Sequence, residues 1–226
     1  MRQLFKELPV FVIPNFYKKE TNKCHKEVYD EIIRQYEEYK NSEDFKGFEE
    51  HLGQDGAPEK EESEVGCFVL KDSEYAKKLY RKAFRTLSRR MGFRAGPNNK
   101  DEVRAYVSNK DENKNPLHHH PGSISMIYYF NRPGKDIGGC LQFATYGERR
   151  QLIYTPKQYD LVFFPSSCRH RALAVHHSCD ETRVSLNMEF TTLELPINIF
   201  AKIDKNIQIT TPKKWWQFWK KIKDKK

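Results

Sequence analysis

Between residues 123 and 190 the chain is a series of short β-prone runs broken by turn residues: SISMIYYF, CLQFATY, RQLIYT, DLVFFP and RVSLNMEF. NRPGKDIGG supplies the turn between the first two. Upstream, PVFVIPNF and EVRAYVSN read as further strands, and two stretches carry helical periodicity instead. KKETNKCHKEVYDEIIRQYEEYKNS spaces Val28, Ile32 and Tyr36 on one face, with Thr21 as a cap. SEYAKKLYRKAFRTLSRRMGF carries Tyr75, Leu79, Phe84 and Leu87 on a broad apolar stripe and Gly92 near its end. Two helices ahead of a run of strands indicate an α+β protein, the helices bracing one face of a mainly antiparallel sheet. Residues 41–65 are acidic and poorly periodic, which predicts a long loop over a site. No internal repeat is present.

Length and charge narrow the function class. A chain of 226 residues with 38% hydrophobic content can bury a real core, favouring one domain with extensions. The formal charge is +9, but Pro212–Lys226 holds seven lysines and one aspartate, so that tail carries +6 and all before it only +3. Nucleic acid is therefore not an expected partner. Five dispersed cysteines (Cys24, Cys67, Cys140, Cys168, Cys179) without a C-x-x-C pair read as reduced thiols. With neither a signal peptide nor a membrane span evident, the expectation is a soluble, cytoplasmic protein.

The chemistry-bearing residues cluster in NPLHHHPGSISMIYYFN. Alternation at the lip of a strand sends His118 and His120 to one face and His119 to the other. His170, in FFPSSCRH, lies about fifty residues on, past the end of another strand. Two imidazoles from one β segment and a third from a distant one is how a β-barrel or jelly roll builds a metal site with an open face. His176 and His177 read as solvated. In RVSLNMEF, Arg183, Ser185 and Asn187 share one face, and Val184, Leu186 and Met188 the other. An arginine fork suits a carboxylate held in two-pronged fashion, and the serine adds a further bond.

The strand-entry histidine, IYYFN, GGCLQF, YDLVFFPSSCRH and RVS, in that order, resemble the Fe(II)/2-oxoglutarate-dependent oxygenases over roughly residues 100–191. The likeness is to prolyl-hydroxylase-like members and to bacterial and phage members that open H-x-H-P-G-S. It implies a double-stranded β-helix (jelly-roll) core in a single domain over residues 1–200, with residues 201–226 as a C-terminal extension. It also implies Fe(II) and 2-oxoglutarate as cofactors, O2 as co-reactant, and hydroxylation of a protein side chain such as proline or of a small molecule. His118 and His170 take the family's two histidine positions. Arg183 and Ser185 take those of the cosubstrate-binding R-x-S pair, and Tyr129 that of a cosubstrate-binding tyrosine. Alternation sends one of Tyr128 and Tyr129 into the core and the other, expected to be Tyr129, into the cavity. Gly138 and Gly139 match a glycine pair with a backbone role.

One departure concerns the metal. The family's usual carboxylate, two residues past the first histidine, is here His120, which makes the expected metal ligands and catalytic residues His118, His120 and His170. Three neutral imidazoles leave the ion one unit more positive than the usual triad. The other register, with His120 as first ligand and Gly122 in the acid's place, resembles halogenases of the same fold. A cupin-like enzyme without cosubstrate lacks its glutamate, since no Glu follows before Glu148. A non-catalytic β-sandwich leaves the Arg183–Ser185 face without a use. Residues 108–117 join 41–65 as candidate substrate contacts. In the tail, Trp215, Phe218, Trp219 and Ile222 form one helical face among lysines, suited to an anionic membrane, a partner protein or the domain itself.

Overall fold

The computed structural model describes residues 1–6, 8–42, 66–91, 103–108, 117–119, 124–131, 139–145, 150–173 and 182–190. Its strands are β1 (Arg2–Gln3), β2 (Phe11–Ile13), β3 (Gly66–Val69), β4 (Val103–Ser108), β5 (Ile124–Tyr129), β6 (Leu141–Ala144), β7 (Gln151–Tyr154), β8 (Leu161–Pro165), β9 (His170–Ala172) and β10 (Arg183–Phe190). Two helices, α1 (Lys18–Lys40) and α2 (Glu74–Met91), complete the α+β arrangement. The seven-stranded sheet runs β1-β2-β8-β5-β10-β4-β3, the three-stranded sheet runs β7-β6-β9, and every pairing is antiparallel. Strands β1, β3 and β9 were not expected from the sequence, because runs of two to four residues carry too few side chains to show a period. His170, expected beyond the end of a strand, opens β9.

Alternation along β10 divides the molecule. Val184, Leu186 and Met188 point to the helical side, where they join Tyr128, Met126, Ile32, Tyr36, Leu79, Tyr80 and Leu87 in one buried cluster. A second cluster fills the space between the sheets, with Val12, Ile127, Tyr129, Val162 and Phe164 from the large sheet and Leu141, Phe143 and Tyr154 from the small one. Each fully buried aliphatic or aromatic side chain contributes about 1.5–3 kcal/mol by leaving water. The register sets Ser185 opposite Tyr129 on β5 and Tyr106 on β4, so β10 lies between two tyrosine-bearing neighbours.

Thr21 is not the cap of α1. The helix begins at Lys18, and Tyr17 ahead of it adopts a left-handed φ of 57° with no side-chain cap. The Thr21 hydroxyl is instead fully buried. It donates to the Tyr17 carbonyl at 2.9 Å, so it accepts from the hydroxyls of Tyr75 (2.7 Å) and Tyr128 (2.8 Å). Burial pushes both phenols above their ordinary range, Tyr128 to about 12, which keeps the protons those two bonds need. One hydroxyl thereby ties α1, α2 and β5 together.

Thr21→Val keeps the shape and removes that hydroxyl. It should lower unfolding free energy in urea by about 2 kcal/mol, since buried phenols left unpaired cost about 1–3 kcal/mol each. Thr21→Ser should restore most of the loss. Equal stability of Thr21→Val and the parent would contradict the assignment.

Candidate metal and dicarboxylate site

Two segments bring imidazoles together. After β8 the chain turns, with Cys168 N–H donating to the Pro165 carbonyl at 2.9 Å, and it re-enters as β9 at His170. His170 then pairs with His118 as an isolated antiparallel bridge. Its N–H donates to the His118 carbonyl at 2.9 Å, and its carbonyl accepts from the His118 N–H at 3.0 Å. Two further contacts hold the segments in place: Arg169 Nη2 donates to the Leu117 carbonyl at 3.0 Å, and the Ser125 and Ser166 hydroxyls lie 2.9 Å apart. The ring centroids of His118 and His170 are 4.6 Å apart, with planes inclined at 51°.

The tautomer of His170 follows from its neighbour. Nδ1 lies 2.9 Å from the Cys168 carbonyl, and a carbonyl can only accept, so Nδ1 carries the proton. Nε2 then presents a lone pair, the usual state of a metal-binding imidazole oriented by a backbone carbonyl. Phe164 and Phe143 flank the ring, at centroid distances of 4.6 and 6.1 Å. His170 is buried and His118 half-buried. His120 and Gly122, the two alternatives for completing the site, lie outside the described residues, as do Gly138, His176, His177 and the 212–226 tail. Among the described residues no third His, Cys, Asp or Glu joins the pair. Gly139 has φ of 66°, a conformation glycine adopts without strain just before β6.

At the start of β10 the chemistry changes sign. Arg183 is only 3% exposed, and Nη1 reaches the Leu173 carbonyl at a long 3.5 Å. Nε has no hydrogen-bond partner and no carboxylate pairs with the group among the described residues. A buried cation so poorly compensated is unfavourable by several kcal/mol. Its surroundings suit an anion: Ser185 and Tyr129 are buried beside it in the β10–β5 register, and the Tyr106 ring lies 5.7 Å from Arg183 Cζ. Burial raises the Tyr129 phenol while Arg183 opposes that shift, so Tyr129 stays protonated and can donate. Tyr128 points the other way, to Thr21. His170 packs on Phe143 and Phe164, and Arg183 faces Tyr129, so imidazoles and guanidinium border the same inter-sheet cluster.

Two contributors, Tyr106 and Asn131, were missed in the sequence. Tyr106 shares the polar face of β4 with Arg104, a period-two signal that VRAYVS does carry. Asn131 accepts from Val184 N–H at 2.7 Å and donates to the Thr182 carbonyl at 2.9 Å, clamping the backbone on both sides of Arg183. Nothing local in the sequence marks that role. Asn187, expected on the Arg183 face, has a buried Oδ1 without a partner among the described residues.

Paired imidazoles are donors suited to a metal ion, and a buried guanidinium with a free Nε is a donor suited to a carboxylate. A profile for the 2OG-Fe(II) oxygenase superfamily matches residues 101–190, the span that contains both groups. No curated protein sequence matches the chain. Among solved structures, the fold is similar to a prolyl hydroxylase from Trichoplax adhaerens, solved with a peptide fragment of the hypoxia inducible factor oxygen degradation domain. That match has a TM-score of 0.52 at 12% identity, over 81% of this chain and 83% of that one. IDO from Bacillus thuringiensis gives 0.45 at 14%, over 59% of this chain and 80% of that one. A prolyl 4-hydroxylase from Phytophthora capsici gives 0.43 at 18%, over 57% of this chain and 48% of that one. At these identities the Trichoplax likeness speaks to the fold, the expected double-stranded β-helix with N-terminal helices. No described helix is long and apolar enough to cross a membrane.

His118→Ala should reduce anaerobic Co(II) affinity at least tenfold, read from the d–d absorption of the bound ion, with far-UV circular dichroism unchanged. Unaltered Co(II) binding would remove His118 from the site. Burial pushes the Cys168 thiol up to about 12, so at pH 8.5 iodoacetamide should label it far more slowly than Cys24 or Cys140. Peptide mass spectrometry separates them, and equal rates would contradict that burial.

Proposed function

From the premise that residues 101–190 belong to the 2OG-Fe(II) oxygenase superfamily and make this chain an enzyme, we propose that it hydroxylates an unactivated C–H bond. The substrate class is a protein side chain, proline first, or a small molecule. The family implies Fe(II) and 2-oxoglutarate, which together with O2 supply the oxidising equivalents. The observation that carries the reading is the buried, poorly compensated guanidinium of Arg183 beside the same inter-sheet cluster as the paired imidazoles.

On this reading His118, His120 and His170 hold the metal. His170 is fixed as a neutral Nε2 donor by the Cys168 carbonyl, so it needs no reorientation when the ion arrives. Arg183 pairs with the far carboxylate of 2-oxoglutarate, while Ser185 and the protonated Tyr129 add hydrogen bonds from the flanking strand positions. Asn131 fixes Arg183 through the backbone and is a positioning residue. Phe143, Phe164 and Ile127 keep water from the buried end, which strengthens each of these polar contacts. His120 in place of a carboxylate leaves the metal centre more positive and strengthens its hold on anions. Proline is the first side chain to test because the Trichoplax protein of similar fold is a prolyl hydroxylase solved with a peptide.

Anaerobic protein given Fe(II) and 2-oxoglutarate should develop the weak visible charge-transfer band of the chelate. Arg183→Ala should raise the 2-oxoglutarate concentration needed for half of that band about 10–100-fold, as expected for losing a charged hydrogen-bond pair. Ser185→Ala, a smaller change to the core, should raise it a few-fold. Loss of the band's dependence on 2-oxoglutarate, or equal titrations in parent and Arg183→Ala, would overturn the assignment.

A further inference from the structure

The charge before residue 212 is a small sum of large opposites. Helix α2 holds seven Lys and Arg against one Glu, a net +6, whereas residues 43–65 hold nine Asp and Glu against two Lys. On α2 the cations are not evenly spread. Lys78, Arg81, Lys82, Arg85 and Arg89 follow i, i+3, i+4, i+7 and i+11, which places them within about 100° of arc. All five are exposed. Together with Tyr17 and Thr86 they line a groove of about 520 Å³.

Little in the described protein neutralises this face. Lys82 meets Glu20 at 3.5 Å and lies over the Tyr17 ring at 4.6 Å. No carboxylate pairs with Lys78, Arg81, Arg85 or Arg89 among the described residues. Five exposed cations so close together create a positive field along the groove that a polyanion would complement.

We propose that the groove along α2 docks a nucleic-acid strand through its phosphates. Charge chemistry selects that partner. The five cations span about 16 Å of helix axis. A nucleic-acid strand carries a phosphate on every nucleotide of a continuous backbone. An extended acidic peptide turns alternate side chains away, so at most every second carboxylate meets the groove. A membrane surface fits worse, because an interfacial helix inserts an apolar face, and the apolar face of α2 is already buried. Arginine forks at 81, 85 and 89 recur every turn and match phosphate oxygens in pairs.

The groove lies on the helical side of the large sheet, whereas Arg183 and the imidazoles border the cluster between the sheets. Docking and chemistry therefore use opposite faces of β10 and fail independently. The test is fluorescence anisotropy of a labelled twenty-nucleotide poly-U strand with the full chain, over a salt series. R81Q/R85Q/R89Q, all exposed, should bind at least tenfold more weakly. Its log affinity against log salt should be shallower by about 2, since each single-strand phosphate contact contributes about 0.7. Cations of the 212–226 tail are present in both proteins and cancel in the comparison. Binding of metal and 2-oxoglutarate should be unchanged. No binding by the parent, equal binding and salt slope in the variant, or equal affinity for poly-glutamate would each overturn the proposal.

Discussion

A guanidinium taken out of water requires an anion, and Arg183 has none among the described residues. That requirement organises the inter-sheet side of the protein. With β10 between β5 and β4, the register brings Tyr129 and Tyr106 alongside Ser185, so neutral groups rather than a carboxylate flank the guanidinium. Asn131 then holds the backbone on both sides of the arginine through two hydrogen bonds. The fold itself holds the cation in place, which lowers the ordering cost of binding an anion there.

The same strand needs its other face to be apolar. Val184, Leu186 and Met188 anchor the helices, and Thr21 closes the packing by serving two buried phenols at once. A strand face that carries Arg183, Ser185 and Asn187 is stable because a dry cluster fills the other side. The imidazole pair relies on a separate device: a reciprocal backbone bridge between His118 and His170, reinforced by Arg169 and by the Ser125–Ser166 contact. Neither histidine lies within a long strand, so these local bonds fix their spacing.

Where a period was long enough, the sequence carried the answer. RVSLNMEF reads as one polar and one apolar face, and IYYFN divides its tyrosines the same way; Tyr129 lies in the inter-sheet cluster and Tyr128 meets Thr21. Short elements were not legible, and β1, β3 and β9 exist because a neighbour's edge is available to pair with. Thr21 misled because a threonine near a helix start looks the same whether its hydroxyl meets its own backbone or a tyrosine 107 residues away. Tyr106 and Asn131 act through contacts distant in sequence. Net charge hid the basic face of α2, since opposite charges elsewhere in the chain cancel in a sum but not in space.

The most direct measurement is a crystal structure grown without oxygen, with Mn(II) in place of iron and 2-oxoglutarate present. The account predicts the metal on Nε2 of His118 and His170, and the far carboxylate of the acid within hydrogen-bond distance of Arg183 and Ser185. An Arg183 side chain paired with a carboxylate of the protein itself, with the acid bound elsewhere, would contradict it.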